Sequence, residues 1–312
     1  MTKISLVGFG GIGVEAAKII VQDPTLCCNL VCYDRKEAIE ADPSPIAGAY
    51  EEMRDAIGIL ETGHCITMTS NIDDIADSDV IVVTAGLPRK QGQSRADLIN
   101  DNAATIGPIA EKIGKLAPNT FLIMVTNPLD AMVELAYRRS GLPVHMVVGQ
   151  AGVLDTGRLT MEAARAAKSY PSQTRSVVLG GHGPQMVPIY SHTAVAGKPL
   201  SDYIDQKEMD AISERVADRG ATIIKKQGRS ATFSTATAAV KMVRSFILDE
   251  RKALPAAARL NGEYGIKDLF VGVMTEISRK GVKVLEIPLT ADEREKFNKS
   301  VEETRKIVGE LK

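Results

Sequence analysis

The stretch Ile4-Ser-Leu-Val-Gly-Phe-Gly-Gly-Ile-Gly13, continuing as Val-Glu-Ala-Ala-Lys-Ile-Ile-Val21, decides the fold. A short apolar run ends in glycines, and an amphipathic helical pattern from Ile12 to Val21 follows. Gly8, Gly10 and Gly13 satisfy G-x-G-x-x-G between a strand and a helix. In such a turn the first glycine allows the tight bend and the second lets backbone approach a pyrophosphate. The third lets the helix pack closely on the strand. The helix amino terminus then offers free N–H groups and a favourable dipole to phosphate. Asp34 closes the next apolar run, Leu30-Val-Cys-Tyr-Asp34, roughly twenty residues on, where a carboxylate can hydrogen-bond a ribose diol. A glycine-rich turn without ligand is the alternative, but this context predicts a dinucleotide site. Asp34 would repel a 2′-phosphate, which favours NAD over NADP, while the neighbouring Arg35 pulls the other way.

Further runs of the same kind follow at Val80-Ile-Val-Val-Thr84, Phe121-Leu-Ile-Met-Val125 and His145-Met-Val-Val-Gly149. They are nearly continuous in apolar residues, as strands buried on both faces are. Amphipathic stretches such as Asp97 to Leu116 lie between them. The alternation predicts an α/β fold, a Rossmann-type doubly wound parallel sheet with ligands at the carboxyl ends of its strands. Past about residue 150 the pattern changes. Helices are expected from Leu154 to Ala167 and, with a break near Gly228, from Gln206 to Leu248. Strands are expected over Arg175 to Leu179, Val187 to Val195, Leu269 to Thr275 and Val282 to Ile287. A last helix starts at Thr290, where Thr290-Ala-Asp-Glu293 has capping-box form. This half predicts an α+β catalytic domain, so the chain divides into a nucleotide domain (residues 1–148) and a substrate domain (149–312).

The net charge of −1 over 312 residues leaves no electrostatic footprint for nucleic acid or an anionic membrane. Any anion must be held locally by a few placed arginines, which points to a small-molecule partner. No stretch of 18 apolar residues occurs. Of the four cysteines, Cys27, Cys28 and Cys32 crowd one apolar run and Cys65 stands apart. With no C-x-x-C spacing and no histidine close to that run, they are expected to pack as small buried residues and to hold no metal. The expectation is a reduced, cytoplasmic protein.

Three further places carry chemistry. Val82-Val-Thr-Ala-Gly-Leu-Pro-Arg-Lys-Gln-Gly-Gln-Ser-Arg95 is a strand running into a loop with two arginines, Arg89 and Arg95. Guanidinium forks match carboxylates bidentately and keep their charge. Closure over residues 87 to 95 would bring both to one place, although a plain solvated loop fits the same residues. His182, in Gly180-Gly-His-Gly183, has an unobstructed imidazole suited to moving a proton near neutrality, or to a structural hydrogen bond. Asp155 and Arg158 share one helix face at i, i+3, as a surface ion pair would. They could also act separately, the carboxylate orienting a histidine and the arginine gripping a substrate carboxylate.

These motifs, in this order and over nearly the whole chain, resemble the lactate/malate dehydrogenase superfamily, in its lactate-dehydrogenase-like malate branch. The resemblance implies an NAD-dependent 2-hydroxy-acid dehydrogenase, a homodimer or homotetramer, acting on malate and oxaloacetate. It places the cofactor against Gly8, Phe9, Gly10, Gly11, Ile12 and Gly13, with Asp34 at the adenosine ribose. Thr84-Ala85-Gly86, Asn102 and Val125-Thr126-Asn127 fall where the family lines its cofactor, and Asn127 also reaches the substrate oxygen. His182 becomes the proton acceptor and donor, Asp155 its supporting carboxylate and Arg158 the substrate-carboxylate clamp. Arg95 matches the arginine that polarises the reacting carbonyl, and Arg89 the position that accepts a second carboxylate where lactate enzymes usually carry glutamine.

The chain departs from the family pattern in three places. Phe9 replaces the usual alanine, which predicts a shifted glycine loop or weaker cofactor affinity. Pro184-Gln185 replaces the usual acidic and small polar residues after the histidine, which touches rate and pH optimum more than reaction type. Gly228-Arg-Ser-Ala-Thr-Phe233 lacks the usual tyrosines, and Ala231 leaves room for a dicarboxylate. Another 2-hydroxy acid such as lactate, or a non-catalytic NAD-binding role, are the alternatives.

Overall fold

The computed structural model describes residues 1–88 and 95–311, the side chain of Arg95 excepted. Six strands run parallel: β1 (Thr2–Val7), β2 (Cys28–Tyr33), β3 (Cys65–Thr69), β4 (Val80–Val83), β5 (Phe121–Met124) and β6 (Val147–Gly149). Their order is β3-β2-β1-β4-β5-β6, which reverses direction between β1 and β4. Chains leaving those two strands turn opposite ways, so a crevice opens at their carboxyl ends. The connecting helices are α1 (Gly11–Val21), α2 (Lys36–Ile39), α3 (Pro45–Leu60), α4 (Arg95–Leu116) and α5 (Leu129–Ser140).

The apolar strands serve both faces. Ile4, Leu6, Val80 and Val82 pack with α1 and Met53 of α3, while Val7, Ile81 and Val83 pack with α4 and α5. All four residues of β4 and of β5 are buried, which explains their unbroken apolar sequences.

The second half comprises α6 (Gly152–Ala166), β7 (Thr174–Arg175), β8 (Val178–Leu179), β9 (Val187–Pro188), β10 (Ala194–Val195) and β11 (Lys198–Pro199). It continues through α7 (Gln206–Ala217), α8 (Arg219–Gln227), α9 (Phe233–Ile247), β12 (Lys252–Asn261), β13 (Lys267–Ser278), β14 (Gly281–Val284) and α10 (Ala291–Gly309). Its last three strands do not make a sheet of their own. They extend the first sheet antiparallel, joining it where Ala257 pairs with Gly149, and give nine strands in all. Helix α9 crosses over as well: Phe246 stacks on Phe121 of β5 with centroids 4.4 Å apart. The expected break near Gly228 is a left-handed residue at φ 72° that ends α8, and the capping box at Thr290 forms with Glu293. Strands β3 and β12 were not expected, and the strand expected from Arg175 to Leu179 splits into β7 and β8.

One local expectation needs correction, and one departure from the family pattern finds its place. Cys28 and Cys32 are buried, but Cys27 is exposed, its thiol donating to the carbonyl of Gly63 at 3.1 Å. Phe9 is fully buried and belongs to the core cluster that also holds residues of α1 and β2. Truncating such a ring costs about 3–5 kcal/mol. Phe9→Ala should therefore lower the urea unfolding midpoint markedly; an unchanged midpoint would contradict the core placement.

Candidate active site

Gly8, just after β1, has φ 100°, a conformation that favours glycine, and a Cβ there would lie 2.3 Å from the backbone nitrogen of Ala85. Gly13 lets α1 approach β1, since its Cβ would stand 2.2 Å from the carbonyl oxygen of Gly8. Gly10 is different: nothing lies within 4 Å of where a Cβ would be. It caps α1 with no side-chain hydrogen bond, leaving the first N–H groups to whatever enters the crevice. Asp34 lines the same cavity, about 650 Å³ in volume, with Gly8, Gly10, Arg35, Thr84, Ala85 and Gly86. Its Oδ2 accepts the N–H of Phe9 and its Oδ1 that of Arg35, each at 2.7 Å. One accepted bond per oxygen leaves lone pairs for hydroxyl groups of a ligand. Open backbone over a free helix terminus, with a carboxylate beyond it, fits a dinucleotide.

Three residues expected to line the cofactor spend their polar hydrogens within the protein. Asn102 is fully buried and donates both amide protons, to the carbonyls of Leu87 (3.1 Å) and Asn127 (2.6 Å), while its oxygen accepts from Leu87 (2.7 Å). No amide proton is left for a ligand, so it clamps the two loops that do the lining. Thr84 donates its only hydroxyl proton to Gly8 (2.6 Å), and Thr126 donates its own to Ala85 (2.5 Å). These threonines shape the crevice wall. Gly11 faces the second half, where its Cβ would meet Thr232.

A smaller cavity of about 180 Å³ adjoins the glycine loop through Ile12 and is lined by Val125, Asn127, Gln150, Arg158, His182 and Ala231, among others. Asp155 and Arg158 rise from the first two turns of α6, and His182 sits in the turn after β8. That turn rests on β13 through a bond from the N–H of Gly180 to the carbonyl of Gly272, at 2.8 Å. The imidazole Nδ1 of His182 lies 2.8 Å from Asp155 Oδ2, and Arg158 donates to Asp155 Oδ1 at 3.1 Å. Asp155 is 3% exposed, so its ion pair with Arg158 is buried and not the surface pair that the spacing alone suggests, and its second oxygen meets the histidine. With Nδ1 engaged, Nε2 is the ring nitrogen free for proton transfer. Burial alone pulls the pKa of His182 down. The charge and hydrogen bond of Asp155 outweigh it, with help from Asp130, and the pKa ends above its usual value. Burial likewise lowers the pKa of Arg158, against the pull of Asp155.

Arg89 lies outside the described residues, as do the side chain of Arg95 and most of the loop expected to close. Three groups hold the histidine turn, and two of them, Asp130 and Ser300, were not among the expected site residues. Asp130 accepts the N–H of His182 (3.1 Å), Ser300 that of Gly181 (2.9 Å), and Gln185 donates to the carbonyl of His182 (3.3 Å). Gln185, noted as a departure, thus ties down the turn it follows. The signal for Asp130 was its place three residues after Asn127. Ser300 carried none, because its contact spans 119 residues.

The chain matches the pattern of the lactate/malate dehydrogenase NAD binding domain over residues 2–149. It matches that of the lactate/malate dehydrogenase alpha/beta C-terminal domain over residues 152–312. It is 40% identical to a malate dehydrogenase of Anaplasma marginale over 322 aligned residues, covering 99% of this chain and 98% of that one. It also resembles the solved malate dehydrogenase of Plasmodium falciparum in complex with NADH, with a TM-score of 0.89, 33% identity and all of both chains covered. A lactate dehydrogenase of Cryptosporidium parvum, solved with lactic acid and nicotinamide adenine dinucleotide, matches with a TM-score of 0.93 at 32% identity, covering 99% of this chain and 98% of that one.

Proposed function

The chain belongs to the lactate/malate dehydrogenase family and acts as an NAD-dependent malate dehydrogenase, and from that premise we propose how its residues divide the work. The reaction is the reversible oxidation of (S)-malate to oxaloacetate. The observation that carries the proposal is the His182–Asp155–Arg158 array opening into one small cavity with Asn127. NAD, held along Gly8, Gly10 and Asp34, supplies the hydride acceptor. His182 takes the hydroxyl proton of malate at Nε2 and, when protonated, returns it to the carbonyl of oxaloacetate. Asp155 holds the ring in that orientation and favours the imidazolium. Arg158, with donors to spare beyond its bond to Asp155, grips the carboxylate next to the reacting carbon. Asn127 steadies the substrate oxygen. Arg95 stabilises negative charge developing there, an interaction strongest in the transition state, and Arg89 takes the distal carboxylate.

The raised pKa of His182 sets a pH limit with a definite sign. Oxaloacetate reduction needs the imidazolium, so it is present below that pKa and lost as pH rises through it. Malate oxidation needs the neutral ring and runs the other way. Asp155→Asn removes the main influence raising the pKa and leaves the burial that lowers it. The alkaline limit of reduction should move to lower pH, and kcat should fall by roughly 10²-fold or more, the scale of positioned acid–base catalysis. A pH–rate profile checks both, and an unmoved limit would contradict the role given to Asp155.

We further propose that residues 1–148 form the nucleotide domain and 149–312 the substrate domain. We propose that copies of this chain associate through the faces around Ile59 of α3, Met161 of α6 and Phe233 of α9, which are 81%, 57% and 63% exposed. A monomer's mass by light scattering would overturn that. Among the described residues no helix is long and apolar enough to cross a membrane. The four free thiols support work in the reducing cytoplasm. The function itself is tested by incubating the chain with oxaloacetate and NADH and identifying the product by NMR. (S)-Malate supports the proposal, and the absence of malate contradicts it.

A further inference from the structure

Asp130 stands three residues beyond Asn127, in the first turn of α5, and is 3% exposed. Its Oδ2 accepts the backbone N–H of His182 at 3.1 Å, a contact between residues 52 apart in sequence. The carboxylate also lies close under the neighbouring glycine: a Cβ on Gly181 would stand 3.1 Å from it. One short segment therefore presents Asn127 to the substrate cavity and, a turn later, grips the backbone that carries the proton-transfer group. We propose that Asp130 is a positioning residue of the reaction. It sets the place of His182 relative to Asn127 and, as a second carboxylate beside that of Asp155, favours the protonated ring. This rests on His182 being the group that moves the proton.

Among the described residues, the charged groups around the His182 turn come from two helices. Helix α6 supplies Asp155, bonded to Nδ1, and Arg158, bonded to the other oxygen of Asp155. Helix α5 supplies Asp130. Ser300 and Thr304 of α10, and Gln185 in the turn, carry no charge near neutrality. Burial lowers the pKa of His182, Asp155 raises it most, Asp130 adds to the rise, and Arg158 opposes it. Asp130 thus acts in the same direction as Asp155.

Two substitutions separate geometry from charge. Asp130→Asn keeps an oxygen for the N–H of His182 and removes the charge. Asp130→Ala removes both and leaves a buried N–H unpaired, a change expected to lower kcat roughly tenfold or more. The readout is the titration of the His182 imidazole by NMR in the whole enzyme. Its signal is one of four histidine signals and is assigned by its loss in His182→Asn. In Asp130→Asn the titration should move to lower pH, and the alkaline limit of oxaloacetate reduction should move with it. NADH affinity should stay unchanged in both variants. A titration that stays put in a folded Asp130→Asn protein would overturn the proposal. If the titration moves but the rate limit does not, Asp130 keeps its influence and His182 loses its role in proton transfer.

Discussion

Replacing His182 with asparagine should lower kcat for oxaloacetate reduction by roughly 10²–10⁴-fold, the share that positioned acid–base catalysis contributes. NADH binding should be untouched, because His182 lines the small cavity and not the crevice of Gly8, Gly10 and Asp34. The variant should also fold. Asparagine can still offer a donor to Asp155, which keeps its ion pair with Arg158 in any case. Titrating the variant with NADH by fluorescence and measuring turnover separates the two effects. Near-normal turnover would remove His182 from the chemistry, and lost NADH binding would show that it supports the fold of the crevice as well.

Arg89→Gln should separate two substrates that differ by one carboxylate. Among the described residues lining the small cavity, Arg158 is the one guanidinium, and it already shares its charge with Asp155. That suffices for the carboxylate next to the reacting carbon. A distal carboxylate taken out of water needs its own cation, and removing such a partner costs on the order of 3–5 kcal/mol. At about 1.4 kcal/mol per decade, kcat/KM for oxaloacetate should fall roughly a hundred-fold or more. Pyruvate has no distal carboxylate and should lose far less. Steady-state kinetics on both substrates decide it, since an equal loss would deny Arg89 its part in selecting the dicarboxylate.

The parallel half of the sheet was legible because burial on both faces writes unbroken apolar runs, as in Val80–Val83 and Phe121–Met124. Strand β3 sits at the sheet edge with a partly exposed, threonine-rich sequence and gives no such run. Strand β12 was hidden by alanine, a poor strand former. Small residues are needed there because β12 approaches β6 closely: a Cβ on Gly149 would lie 2.9 Å from that of Ala257. In the site, several residues that line the two cavities, among them Gly8, Gly10, Asp34, Asn127, Arg158 and His182, belong to local motifs and could be picked out. Residues that hold those motifs could not. Asn102 spends both amide protons on the loops of Leu87 and Asn127, a holding role that its sequence motif does not announce. Asp130 and Ser300 reach the histidine turn from helices far away in sequence. Phe9 shows the reverse case, an apparent change in a binding loop that turns out to fill the core.

Initial rates of NADH oxidation with oxaloacetate and with pyruvate, repeated with NADPH for the better substrate, test the choice of a dicarboxylate substrate most directly. Oxaloacetate should turn over fast and pyruvate far more slowly, with a clear preference for NADH set by Asp34. Preference for pyruvate would contradict the assignment of a dicarboxylate substrate, and no turnover of either would contradict the active site built on His182, Asp155 and Arg158.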